Sequence, residues 1–112
     1  MLFVDFYGPA DLFAATCLAI QERIAAVFRT PPAEVVLRRI VAESAYAGVE
    51  VWIELSSDEQ LYRYGRRLAA DVSEAIRATH SVDVWVLFRV VPLAHAFLNG
   101  APRRRDASPL DK

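Results

Sequence analysis

Apolar and polar positions change period several times along this chain, and each change marks an element. Leu2–Tyr7 (LFVDFY) is an almost continuous apolar run interrupted by Asp5, the pattern of a buried strand. Gly8-Pro9 breaks it, and Pro9 suits the first turn of a helix. From Asp11 to Arg29, Phe13, Cys17, Ile20, Ile24 and Val27 with Phe28 follow the i, i+4, i+7 spacing of an amphipathic helix. Pro31-Pro32 stops it and pushes Thr30 to extended geometry.

Glu34–Ala42 (EVVLRRIVA) reads as a second strand, and Glu43–Gly48 as a connection closed by glycine. Val49–Leu55 (VEVWIEL) alternates strictly, with Val49, Val51, Ile53 and Leu55 on one face and Glu50, Trp52 and Glu54 on the other. Ser56-Ser57-Asp58-Glu59-Gln60 holds two overlapping capping boxes, Ser56 with Glu59 and Ser57 with Gln60. They open a helix to about Thr79 that buries Leu61, Tyr64, Leu68, Val72 and Ile76. Val82–Val91 alternates again and must end or reach an edge at Pro92, which has no N–H for a ladder. A short aromatic and amide-bearing stretch with His95, Phe97 and Asn99 then leads to a turn at Gly100. The sequence from Ala101 on has no periodicity and reads as a disordered tail.

The predicted order is β-α-β, β-α-β: two similar halves forming one domain over residues 1–100, an α+β fold of two layers. Right-handed crossovers place both helices on the same face of a four-stranded mixed sheet. Val49, Val51, Ile53, Leu55, Val82, Val84, Val86 and Phe88 then form the helix-packed face. The opposite face carries Trp52, Trp85 and Leu87, with Phe3 and Tyr7 or their alternates on the first strand, among Glu50, Glu54, Asp83 and Arg89. Two tryptophans are costly to leave in water, and the charges argue against a second dry core. That face therefore predicts a subunit interface or a ligand cavity between subunits.

Composition narrows the partners. The chain is 54% hydrophobic, enough for a core, and its net charge of −1 gives no electrostatic reason to expect nucleic acid or an anionic membrane. The Arg103–Arg105 run is too short to signal nucleic acid. No apolar run approaches the ~20 residues needed to span a bilayer, and no signal-peptide pattern is present, so a cytoplasmic location is expected. The lone Cys17 excludes an internal disulfide and reads as an apolar filler on the buried face of its helix. There is no metal-ligand spacing, no glycine-rich phosphate loop and no nucleophile motif; neither a metal nor a cofactor is expected.

Two architectures share this element order, the ferredoxin-like fold and the tautomerase/macrophage migration inhibitory factor fold. Three features favour the second: a strand starting at the extreme N-terminus, Thr30-Pro31-Pro32 between first helix and second strand, and a last strand followed by PLAHAFLNG. Thr30-Pro31-Pro32 resembles the Lys-Pro-Pro of the migration inhibitory factor branch, and the C-terminal stretch resembles the end of tautomerase chains. The second half also resembles an uncharacterised tautomerase-like family of small prokaryotic proteins. The resemblance covers roughly residues 1–100. It implies a homotrimer whose pockets lie where the N-terminal strand of one subunit meets a neighbour. There an amino-terminal proline serves as general base for keto–enol tautomerisation of small oxo-acids.

The chain departs from that pattern. Residue 2 is Leu2, so methionine should be retained and the terminal amine is the primary amine of Met1. The family's lysine is Thr30 here, and its last-strand aromatic and asparagine fall on Trp85 and Leu87. The resemblance makes Met1 the catalytic candidate, with Arg38, Trp85, Arg89, His95 and Phe97 as substrate-binding candidates. An arginine suits a carboxylate because its planar fork binds both oxygens. Each candidate also has a plainer reading. Arg38 and Arg39 face opposite sides of a strand, so at most one reaches the pocket face, and an inter-subunit ion pair with Glu50, Glu54 or Asp83 explains it as well. Arg89 invites the same pair of readings. Trp52 and Trp85 suit packing, and His95 a surface histidine beside Phe97. The functions left open are a tautomerase acting on an oxo-acid or enol, a non-catalytic trimer of the same fold, and a ferredoxin-like dimeric ligand-binding module.

Overall fold

The computed structural model describes residues 1–103; the rest of the predicted tail, with Arg104 and Arg105, lies outside the described residues. Strands β1 (Leu2–Tyr7), β2 (Val35–Arg39), β3 (Val49–Leu55) and β4 (Val84–Val90) form one sheet in the order β2-β1-β3-β4, and helices α1 (Ala10–Phe28) and α2 (Asp58–Arg77) cover one face. β1 pairs parallel with β2, β3 parallel with β4, and the two halves join where β1 runs antiparallel to β3. Each β-α-β unit thus has its strands side by side. A ferredoxin-like sheet splits its β-α-β units, so this pairing excludes that alternative. Among the described residues no helix is long and apolar enough to cross a membrane.

The covered face is as the alternation predicts. Leu2, Val4 and Phe6 of β1 and Val49, Val51, Ile53 and Leu55 of β3 are buried against Ile20, Ile24, Leu68, Val72 and Ile76 of the helices. Phe6 meets Phe13 edge-on at 5.2 Å between ring centroids, and Phe28 meets Tyr64 at 5.0 Å, locking the helices to the sheet and to each other.

Three elements differ locally from expectation. The buried stripe of α1 runs through Leu12, Thr16, Ile20 and Ile24, leaving Phe13 and Cys17 half-buried at its margin. Thr16 enters the core because its hydroxyl donates to the Leu12 carbonyl at 2.8 Å, which satisfies the one polar atom it brings. β2 starts at Val35, after a 3₁₀ turn over Pro32–Glu34, and ends at Arg39, shorter at both ends than the predicted Glu34–Ala42. Its last ladder bond runs from the Ile40 amide to the Phe6 carbonyl, 2.8 Å. Beyond that β1 turns away at Gly8-Pro9, so β2 has no partner. Of the two capping boxes, Ser57 forms the cap: its hydroxyl accepts from the Gln60 amide at 3.2 Å, while Gln60 Oε1 accepts from the Ser56 amide at 2.9 Å.

After β4, a 3₁₀ turn (Leu93–His95) leads into a small hairpin of β5 (Phe97–Leu98) and β6 (Ala101–Pro102). Its turn is Asn99-Gly100, both residues at positive φ (52° and 80°), the two-residue connection that matches strand twist. The hairpin takes in the first two residues of the stretch read as tail. Phe97 and Leu98 are 62% and 69% exposed, so it stands off the domain with its apolar side chains in the open.

Candidate functional site

Strand register decides what the uncovered face of the sheet carries. Asp5 lies opposite Arg38 across the parallel β1–β2 ladder and opposite Trp52 across the antiparallel β1–β3 ladder; Trp52 in turn lies opposite Leu87. The Asp5 carboxylate is only 10% exposed and sits between two arginines. Arg38 donates to its Oδ1 from Nε at 2.9 Å and from the terminal nitrogen at 2.8 Å. Arg89 reaches back from β4 to Oδ2 at 3.4 Å. Each guanidinium also lies against a ring: Arg38 over Phe3 at 5.2 Å and Arg89 over Trp52 at 4.5 Å. Trp52 Nε1 donates to Glu50 at 3.2 Å. The Arg89 pKa is pushed up, first by its hydrogen bond with the Tyr7 hydroxyl and more weakly by Asp5, against a desolvation cost.

This settles which of the adjacent arginines faces the open side. Arg38 does; Arg39 starts from the other side of the strand at the sheet's end, where its Nε donates to the Gly8 carbonyl at 3.0 Å and its side chain lines a cleft beyond the end of β1. Within the subunit the partner of Arg38 and Arg89 is Asp5. Sequence reading took Asp5 for an interruption in a hydrophobic run. A carboxylate in the centre of a buried strand was the available signal, because such a group needs a cation beside it.

Met1 lies at the opposite end of β1. Its terminal ammonium pairs with Glu34 at 3.1 Å, because the parallel register that sets Leu2 beside Val35 brings residue 1 level with the 3₁₀ turn. The C-terminal hairpin comes to the same end: Arg103 donates to the Met1 carbonyl at 3.5 Å, and its own amide donates to Ala96 at 2.9 Å. His95 and Phe97 therefore share the Met1 end, His95 exposed in the 3₁₀ turn and Phe97 in the hairpin. Trp85, 60% exposed, lies opposite Glu50, which pairs with Tyr7 at the far end of β1. Six strand residues put Met1 and Trp85 roughly 20 Å apart along the sheet. Within one subunit Met1, His95 and Phe97 thus gather at one end, Arg38 and Arg89 meet mid-sheet over Asp5, and Trp85 stands alone. A pocket holding all of them requires a second copy of the chain.

A cleft opens at the Trp85 end. The connection from β2 to β3 passes over the end of β1 and arches above it, enclosing about 600 Å³ between Tyr7, Arg39, Tyr46, Glu50, Trp52 and Arg89. Sequence reading assigned this segment no role beyond linking two strands.

Comparison with known proteins bears on the fold. The sequence matches no protein-family profile and no curated protein. Its structure is similar to solved ones. A protein of unknown function from Vibrio cholerae O1 superposes with a TM-score of 0.78 at 13% identity, covering 91% of this chain and 87% of that one. A macrophage migration inhibitory factor-like protein from Entamoeba histolytica gives 0.68 at 6% identity, covering 91% and 96%. A fused 4-OT, solved as an asymmetric trimer, gives 0.70 at 14% identity over 95% and 99%. The chain has the fold of the tautomerase superfamily, as the resemblance of its sequence implies.

Proposed function

We propose that this protein is a tautomerase-superfamily homotrimer that binds, and isomerises between keto and enol forms, a small oxo-acid in a pocket between subunits. The observation that carries the reading is the junction at Met1. A terminal ammonium paired with Glu34 sits beside a hairpin that leaves Phe97 and Leu98 uncovered, on a fold whose solved neighbours include a trimer. In this reading the hairpin and the open sheet face lie against neighbouring copies. Met1, His95 and Phe97 come from one copy and Trp85 from another, with Arg38 or Arg89 holding the substrate carboxylate.

The chemistry needs only proton movement. The neutral form of the Met1 amine, positioned by Glu34, takes a proton from the carbon beside the substrate carbonyl. The C–H electrons form the carbon–carbon double bond and the carbonyl electrons move to oxygen. The ammonium then returns the proton to that oxygen, leaving the enol and a neutral amine. Exclusion of water by Phe97 and Trp85 would strengthen the arginine–carboxylate contact.

The test is phenylpyruvate tautomerisation by the full chain and by two altered forms, one with an acetylated amino terminus and one carrying Glu34→Gln. Enzymatic ketonisation lost on acetylation, and reduced at least about tenfold in Glu34→Gln, supports the proposal. Turnover indifferent to acetylation removes Met1 from the mechanism. A second reading, a trimer of the same fold that binds without turnover, draws on the departure at residue 2, where Leu2 leaves a primary amine held by Glu34. Saturable binding of phenylpyruvate with no change in its enol fraction would favour it.

A further inference from the structure

The arch over β1 makes a second site, at the end of the sheet away from Met1. We infer that the cleft beneath it binds a small monocarboxylate with a flat, unsaturated body, gripped by Arg39 and Arg89 and stacked against the rings of Tyr7, Tyr46 and Trp52. About 600 Å³ is within the range of small-molecule pockets. Most of its wall is chain beyond the ladder, from Gly8-Pro9 and residues 40–44 and 46–48, while Tyr7, Trp52 and Arg89 reach it from the open face of the sheet.

The two arginines are unequally committed. Arg38 holds one oxygen of Asp5 with two short bonds, while Arg89 makes one 3.4 Å contact to the other and a hydrogen bond with the Tyr7 hydroxyl. Arg89 is fixed by its stack on Trp52 at 4.5 Å, so the guanidinium is placed before a ligand arrives. Arg39 spends Nε on the Gly8 carbonyl and forms no ion pair among the described residues, which leaves its terminal nitrogens for a ligand. Of the acidic wall residues, Glu50 accepts from the Trp52 indole, and Glu43 is exposed on the arch. The two glutamates oppose a second negative charge on a ligand, and the planar fork of a guanidinium matches the two oxygens of a carboxylate. That selects a carboxylate over a phosphate. Gly48, at the foot of the arch, lets the Tyr46 ring fold against the backbone, where any side chain would collide with it.

The experiment is a ¹H–¹⁵N NMR titration of the full chain with benzoate, repeated with inorganic phosphate, with acetylated Met1, and with Arg39→Gln and Arg39→Lys. Benzoate is expected to give saturable shifts at Gly8, across residues 40–48 and at the Trp52 indole N–H, unaffected by acetylation. Arg39→Gln should weaken it at least about tenfold, the loss of one charge-assisted contact. Arg39→Lys, which keeps the charge without the fork, should fall between. Three outcomes overturn the site: no saturable shifts, shifts confined to Met1 and the C-terminal hairpin, or unchanged affinity in a folded Arg39→Gln. Phosphate binding as tightly as benzoate overturns the ligand class.

Discussion

The two faces of the sheet are built from the same strands and show opposite chemistry. On the covered face Leu2, Val4, Phe6, Val49, Val51, Ile53 and Leu55 alternate into a dry layer closed by two helices. On the open face the intervening positions set Asp5 between Arg38 and Arg89, lay the arginines on Phe3 and Trp52, and leave Trp85 in solvent. Packing fills the first face and settles its fold. The second is tied across its strands by one carboxylate and leaves Trp85 exposed. In the proposed reading stability rests on the covered side of each strand and function on the open side.

Mutations should separate the faces. The largest effect belongs to Phe6→Ala on the covered side, which removes a fully buried ring packed on Phe13. It should cost about 3–5 kcal/mol in chemical denaturation. On the open side Arg38→Met should cost about 2–3 kcal/mol, because it leaves the nearly buried Asp5 carboxylate with one long contact. The double change with Asp5→Leu should recover most of that, since removing both partners leaves no buried charge unpaired. A double-mutant cycle reads the coupling directly, and additive losses would mean that the register does not rest on this pair.

Legibility divided along the same line. Period-2 alternation in β3 and β4 revealed the covered face, because burial on one side writes itself into every second residue. The open face depends on which residues lie opposite one another, and the offset of the parallel β1–β2 pairing is not written locally. Hence Arg38 and Arg89 were visible as candidates while Asp5, the group that joins them, was not. The end of β2 was misjudged for the same reason: it stops where its neighbour does, not at a breaker of its own. Thr16 hid the true stripe of α1, since its self-satisfied hydroxyl makes a core position look polar. The Asn99-Gly100 turn was readable, and it carries the hairpin two residues into the stretch that lacked periodicity.

Smaller effects refine the contrast. Thr30 is buried with no hydrogen-bond partner for its hydroxyl among the described residues. Thr30→Val keeps the shape and should stabilise the chain by about 1 kcal/mol, read as a higher denaturation midpoint. Trp85→Ala should leave the folding of a subunit within about 0.5 kcal/mol, because the side chain is 60% exposed. Its effect belongs to assembly, as a higher concentration for dissociation in sedimentation. A Trp85→Ala chain that unfolds early yet assembles normally would reverse the assignment of the two faces.

The most direct test of the central proposal, a pocket completed between copies of the chain, is native mass spectrometry of the full chain and of Trp85→Glu over a dilution series. The account predicts a three-subunit species for the natural sequence and its loss, with folded monomer remaining, when a charge replaces the exposed indole. A monomer for the natural sequence would contradict it, because Met1 and Trp85 lie at opposite ends of one subunit, and a dimer would contradict the three-subunit assembly.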